Sequence, residues 1–545
     1  MSTRRALLPP LPRPRRRTVL GGLAATAAAG SALGLAGCGG GSGSSTEGEL
    51  RILVLKHALT KPMAEMAWTA ALEEAAGIPI VWEEVSADWD QKKSTMLAAG
   101  DVPDLIVGTQ AVNDTDLATY GTLFANLAES LDSLPNVTEM FAEKPELKAL
   151  ATQPGGEIYS IPGYKRFWPP TVQHQYINRT WLDALGLEMP TTWDELFDVL
   201  VAFKEGDPTG TGATVIPMDW SPVDTGGFGY FQSILLLGST GLPLAGGGGQ
   251  GYYLQDGKVG NFLTDDRYRD VVTFLARCQE AGLLSGDVMT QDYSTYQSVG
   301  RGPGDGVATV GFTWGWTRSD RFGPEISDQY EAVGVLQQTA EQSEPVTWSF
   351  DQYGENFPGN QVALSAASKN TEAALKVINA FYDQEMSIQV LFGDIGPNIE
   401  KTGENSYKVL PAEDGTDPST WKWTSTLADN GPVWIRDSIE VELPSDLQEA
   451  VDESKPLQPA IDNMDLDKDV YPGLFIKMTK EDLNAMSLVD TTLMNVAMTK
   501  FADWVTGGGI DEGWDAYVAT VAESGVEDNI ATRQKYYDEY MASTS

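Results

Sequence analysis

From Leu50 onward the chain alternates short apolar runs with stretches in which apolar residues recur every three or four positions. Residues 50–55 (Leu-Arg-Ile-Leu-Val-Leu) are almost continuously apolar, as suits a strand covered on both faces. Met63, Met66, Ala67, Ala70 and Ala71 then recur at helical spacing until Gly77, where glycine is a natural stop. Residues 78–82 predict a second strand, 88–99 a second helix and 105–107 a third strand, together a βαβαβ unit. Ligands of such sheets sit beyond the carboxyl ends of the strands. That rule marks Lys56 and His57 after the first strand, and Gly108, Thr109 and Gln110 after the third.

Further helices are signalled as clearly. Thr192-Trp193-Asp194-Glu195 reads as a capping box leading into Trp193, Leu196, Phe197, Leu200 and Val201, one apolar face. Tyr268, Val271, Val272 and Leu275 form a second face, with Cys278 beside it as a small core residue; Ala374, Val377, Ile378 and Phe381 form a third; Leu493, Val496, Ala497, Phe501 and Trp504 a fourth. Trp193 and Trp504 fall on such faces and are assigned to core. Short β-like runs at 306–312 and 331–336 lie between them, and the Gly-rich stretches 246–251 and 507–509 read as loops. Strands and helices alternate with no repeat of fixed period, so the fold class is α/β.

The amino terminus follows a different pattern. The first 37 residues hold six arginines and no acid, followed by an Ala/Gly/Leu run from Val19 to Ala36, the make-up of a secretory signal. Arg16-Arg17-Thr18-Val19-Leu20 resembles a twin-arginine signal, and Leu35-Ala36-Gly37-Cys38 resembles a lipobox, which implies lipidation of Cys38 after cleavage. The Gly/Ser-rich stretch that follows is a flexible tether. Residues 1–37 are thus expected to be a signal peptide and 38–49 a lipidated linker.

With a formal net charge of −40, the body repels nucleic acid and anionic lipid, and neither is an expected partner. Its 42% hydrophobic content and 15 tryptophans show that it nevertheless buries large cores. Its length favours two or more lobes. Cys278 is the only cysteine besides Cys38, so no intramolecular disulfide forms if Cys38 is lipidated.

Most catalytic and cofactor signatures are missing. The two histidines, His57 and His174, belong to no spaced ligand set, and there is no G-x-S-x-G elbow. Residues 246–251 satisfy G-x-G-x-x-G but lead into Tyr252-Tyr253-Leu254 and not into a helix, so no phosphate cradle follows. No cofactor is expected. Asp207, Thr209 and Thr211, with Gly212, open like a calcium loop, but later positions fall on Val215, Ile216 and Met218. One acid gives too little charge and too few ligands for tight calcium, so a plain turn and no metal are expected. Carboxylate pairing among 77 acids is spatial, which keeps a carbohydrate hydrolase or lyase as an alternative.

Several segments resemble successive signatures of the family 1 extracellular solute-binding proteins. They are residues 97–105 (LAAGDVPDL), 156–162 (GEIYSIP), 176–182 (YINRTWL) and 185–196 (LGLEMPTTWDEL), then 256–259 (DGKV), 514–517 (WDAY) and 534–540 (QKYYDEY). The last is similar to the large-lipoprotein branch that includes alginate-binding proteins. The resemblance implies a two-lobed, periplasmic-binding-protein-like fold with a hinge and an inter-lobe cleft. It implies a carbohydrate, most often an oligosaccharide, as ligand, the transmembrane subunits of an ABC importer as partner, and a monomer without enzymatic activity, held outside the membrane by its lipid. One lobe would be built from 50–160 plus about 340–440, the other from about 165–335 plus about 441–545. A peptide ligand is a further alternative.

A sugar presents an apolar C–H face and a hydroxyl rim, so a site needs flat rings beside planar hydrogen-bonding groups. Besides Lys56, His57 and Gln110, that pairing selects Tyr164, Arg166 and Trp168 at the first expected crossing, Trp220 after Asp219, Trp314 and Trp316 around Gly315, Asp351 near the return crossing, and Trp434 beside Arg436. Lys56, Lys165, Arg166 and Arg318 raise the alternative of an acidic sugar.

Overall fold

A computed structural model describes residues 45–411, 423–443 and 445–544; the expected signal peptide, Cys38 and the start of the tether lie outside the described residues. The opening unit forms as β1 (Leu50–Leu55), β2 (Ile80–Val85) and β3 (Leu105–Val107). There follow β4 (Ser160–Ile161), β5 (His174–Asn178), β6 (Ile216–Met218), the hairpin β7 (Tyr252–Gln255) and β8 (Lys258–Asn261), β9 (Val310–Gly315), β10 (Tyr330–Ala332) and β11 (Val362–Leu364). The first sheet has the order β2-β1-β3-β11-β4 and the second β10-β5-β9-β6. A small sheet of β12 (Ile399–Lys401), β13 (Ser406–Val409) and β14 (Glu440–Glu442) flanks the first.

Local chemistry explains the elements. Thr192 caps the helix Trp193–Glu205 by accepting from Glu195 N–H, while the Glu195 carboxylate reaches one residue further back than the capping box predicts, to Thr191 N–H at 2.7 Å. Between Met63 and Gly77 the helix is shorter than the apolar spacing predicts. Residues 63–65 form a 3-10 turn and the α-helix starts at Thr69, because the Thr69 hydroxyl turns back onto the Met63 and Met66 carbonyls and Trp68 N–H is drawn to Asp394. Cys278 is fully buried, and burial pushes its thiol up to about 12, as expected of a core residue.

Each sheet has its own core, giving two lobes. The first gathers Leu50, Ile52, Leu72, Val137, Phe381 and Trp434; the second Leu196, Leu235, Val271, Phe312, Trp348 and Phe501. The chain leaves the first core after Tyr164 and enters the second by Tyr176, returns between Phe350 and Phe357, and passes over again between Trp434 and Leu457. Backbone hydrogen bonds tie these passages together: Gly163 N–H to Pro358 C=O, Lys165 N–H to Asn356 C=O, Asp351 N–H to Pro170 C=O and Ile435 N–H to Tyr164 C=O, each 2.8 or 2.9 Å. Few side chains are bound up in these ribbons, the construction of a hinge. Among the described residues no helix is long and apolar enough to cross a membrane.

Candidate functional site

Strand direction decides where each lobe opens. β6 runs parallel to β9 and β5 antiparallel to it, so the ends of β6 and β9 and the start of β5 share one edge. In the first sheet β1 and β3 are parallel and β11 antiparallel, which places His57, Gln110 and Asn360 on one edge. The hinge passages begin and end at these two edges.

At the first edge Lys56 is spent on its own surroundings. It forms an ion pair with Glu84 and donates to the Thr60 and Lys61 carbonyls. His57 stacks on Trp423 with ring centroids 4.6 Å apart and planes 24° from parallel, and its Nδ1 accepts from Leu59 N–H. Gln110 is exposed, on a backbone with φ of +55°.

In the hinge, Trp168 and Trp316 come together at 5.3 Å, both half-buried, with Lys165 Nζ 4.8 Å over the Trp168 ring. Arg166 donates to the Ile439 carbonyl. Tyr164 packs in the first core and donates to Asp437 at 3.1 Å. Asp351 is buried and accepts from Val172 N–H, Gly246 N–H and the Thr171 and Ser349 hydroxyls, a clip between segments.

Three of the expected ligand rings are packing residues. Trp220, Trp314 and Trp434 are all 0% exposed, in the cores of their lobes. The strand expected to stop near Gly311 continues as β9 to Gly315, so Trp314 lies within a strand flanked by two others. Trp316, two residues on and past the strand's end, emerges. Trp434 takes the Arg436 guanidinium against its face at 3.7 Å. The Asp207 carboxylate accepts from Gly212 N–H at 3.0 Å and the Thr209 hydroxyl at 3.1 Å, closing the 207–212 turn on itself.

The second edge carries rings that the sequence did not single out. Tyr230 and Tyr293 are 45% and 50% exposed and line a cavity of about 560 Å³ with Phe231, Gln232 and Asp224. Two further cavities, about 480 and 180 Å³, adjoin it through Asp224 and run along the helix Lys480–Gly507 past Met494 and Asn495. Partial burial, and after it the Asp351 and Glu355 carboxylates, push the Tyr230 phenol up to about 12. Below this trough a fully buried ion pair holds the 219–221 turn. Arg321 donates to Asp219 at 2.9 Å and lies 3.6 Å over the Tyr296 ring, while Gln291 donates to the other Asp219 oxygen. Desolvation raises the Asp219 pKa against the pull of Arg321. The Gly226-Gly227-Phe228-Gly229-Tyr230 stretch is the signal that marked this loop, since glycines beside rings free the backbone to present them.

The basic groups are neutralised. Lys56 faces Glu84, and Arg318 lies 3.1 Å from Glu449 and 3.0 Å from Glu453. What the arrangement offers is aromatic area beside carboxylate and amide groups, without a nucleophile–base pair at the trough.

The model of the bacterial extracellular solute-binding protein family matches residues 57–387. The fructooligosaccharide ABC transporter substrate-binding protein FusA of Streptococcus pneumoniae is 30% identical over 493 residues, 87% of this chain and 86% of FusA. Among solved structures, an HMO-binding ABC-transporter-associated solute-binding protein from Bifidobacterium longum infantis shares a TM-score of 0.84 at 33% identity, covering 90% of this chain and 99% of that one. FusA in complex with kestose gives 0.76 at 28% identity, covering 91% and 100%. With its two lobes, its hinge and a match spanning more than half its length, this chain belongs to the bacterial extracellular solute-binding protein family.

Proposed function

We propose that this chain is the extracytoplasmic receptor of an ABC importer and holds a neutral oligosaccharide in the cleft between its lobes. The observation that carries the reading is the trough at the second edge, where the open rings of Tyr230 and Tyr293 lie beside Asp224 and Gln232. Rings of that kind stack on the C–H faces of pyranose or furanose units, and the planar polar groups take hydroxyls. A neutral sugar is favoured because Lys56 and Arg318 are already paired with carboxylates and the trough carries Asp224. FusA and the Bifidobacterium protein, both oligosaccharide-binding by name, support the substrate class. The three successive cavities suit several sugar units.

The lobes are assigned as residues 50–160 plus roughly 340–440, and 165–335 plus 441–545, with the crossings described above as hinge. A lipid on Cys38 would keep the receptor beside its permease and raise its effective concentration there. Cys38→Ala should release the protein from cells, leave binding intact and impair uptake.

The test is thermal unfolding of residues 50–545 against kestose and longer neutral oligosaccharides, uronic oligosaccharides and peptides. A ligand at 100 times its dissociation constant adds about 2.7 kcal/mol. Stabilisation by neutral oligosaccharides alone is the expected result. A shift with peptides alone would make the protein a peptide receptor, and chromatographic appearance of cleaved sugar would make it a hydrolase or lyase.

A further inference from the structure

The turn that presents Trp316 is held from the far side by the third passage between the lobes. The helix Ser445–Glu453 ends where the chain enters the second core, and its last residue and the next one both reach that turn. Glu453 is 7% exposed. It accepts from the Tyr176 hydroxyl at 2.6 Å and from Arg318 N–H at 3.2 Å, and lies 3.0 Å from Arg318 Nε. Ser454 reaches the same place through His174, whose ring spans the Ser454 hydroxyl at 2.9 Å and the Trp316 carbonyl at 2.5 Å. A carbonyl only accepts, so Nδ1 carries the imidazole proton and Nε2 accepts from Ser454. Burial holds that imidazole neutral, its pKa lowered to about 4. On its other side the Trp316 ring meets Trp168, in the first passage. One ring is thus fixed between two hinge segments.

We propose that Glu453 is a positioning residue that couples the hinge to the Trp316 ring: its carboxylate clamps the 316–318 turn, and loosening the clamp shifts the ring. Trp316 as a sugar platform rests on the function proposed above; the clamp itself does not. The groups facing Glu453 are Tyr176 from β5, Arg318 from the turn and Glu449 from its own helix, with Tyr296 and Asp328 acting at one remove on Tyr176 and Arg318. The ionised carboxylate accepts two hydrogen bonds and faces a guanidinium, so it holds the turn by charge-assisted bonds. Once protonated it has a hydrogen of its own to place, and Arg318 keeps Glu449 as its anionic partner. Burial, joined by Glu449, brings this change to about pH 7, so the clamp is tight above neutrality and loose below.

The experiment uses 19F NMR of 5-fluorotryptophan-labelled protein without ligand, the Trp316 resonance being the one lost in Trp316→Phe. In the native sequence that resonance should move with pH through a step near 7. Glu453→Gln, close in size and unable to ionise, should abolish the step while the melting temperature shows the protein folded. A step that persists in Glu453→Gln, or a native resonance flat from pH 5.5 to 8.5, overturns the proposal. A second arm measures kestose binding by calorimetry. Native affinity should fall roughly three- to tenfold from pH 8 to 6, and Glu453→Gln should be flat. If kestose binds no form of the protein while the NMR step behaves as stated, the sugar assignment fails and the clamp stands.

Discussion

At the first lobe's edge one ring pair, His57 on Trp423, is stacked beside the strand ends, and the nearby cation is bound to Glu84. The second lobe's edge instead exposes Tyr230 and Tyr293, half-exposes Phe231 and Trp316, and rests on a buried ion pair. The difference begins in loop length. β1 and β3 end in short turns whose side chains bond to their own strands, whereas β6 opens into the 219–232 loop, long enough to present rings beyond the sheet. The second lobe therefore supplies the stacking area, and the first acts as a cover that closes onto it through the hinge.

The sharpest way to break this comparison is through the two ion pairs. Arg321→Ala strands Asp219 in a site with no exposure on either partner and should cost about 3–5 kcal/mol, read from the midpoint of urea unfolding. Lys56→Met acts on a partly exposed pair and should change stability by about 1 kcal/mol or less. Equal losses would show that the first edge is built as rigidly as the second.

Ligand binding gives the next contrast. Tyr293→Ala or Tyr230→Ala should weaken oligosaccharide binding about tenfold by calorimetry, and His57→Ala about threefold. All three should keep an apo melting temperature near that of the native protein, because the tyrosine rings are about half exposed and the histidine is not in a core. A larger effect at His57 would invert the roles assigned to the lobes.

The pH dependence of stability is a smaller effect and belongs to the second edge. His174 has a folded pKa of about 4 against an ordinary 6.5. The folded state therefore binds fewer protons between those values, and stability rises with pH across that window. Glu453 goes the other way, at about 7 against 4.5. Folded protein holds the proton more tightly, and stability falls as pH rises from 4.5 to 7. The two oppose each other where they overlap, so Glu453→Gln should show a steeper rise of melting temperature from pH 4.5 to 6.5 than the native protein. The smallest effect is expected from a chelator. Asp207 is satisfied by Gly212 and Thr209, and EDTA should leave the melting temperature unchanged.

Much of this organisation is legible along the chain. The apolar run of β1, the capped helix at Thr192 and the burial of Cys278 follow from nearest neighbours and periodicity, because local sterics and one-dimensional spacing set them. The family signatures carried the two-lobed fold in the same way. Which tryptophans face a ligand was not legible. Trp314 and Trp316 differ by two positions, and the end of β9 between them, fixed by pairing with β5 and β6, makes one a core residue and the other half-open. Trp434 beside Arg436 reads as a binding pair in sequence but is sealed in the first core. The meeting of Glu453, Tyr176 and Arg318 joins residues 277 and 135 positions apart. The sequence by itself determined the elements, the core faces and the family; tertiary structure decided which rings stay open and which charges are already paired, because exposure and pairing depend on segments that meet only after the chain has folded.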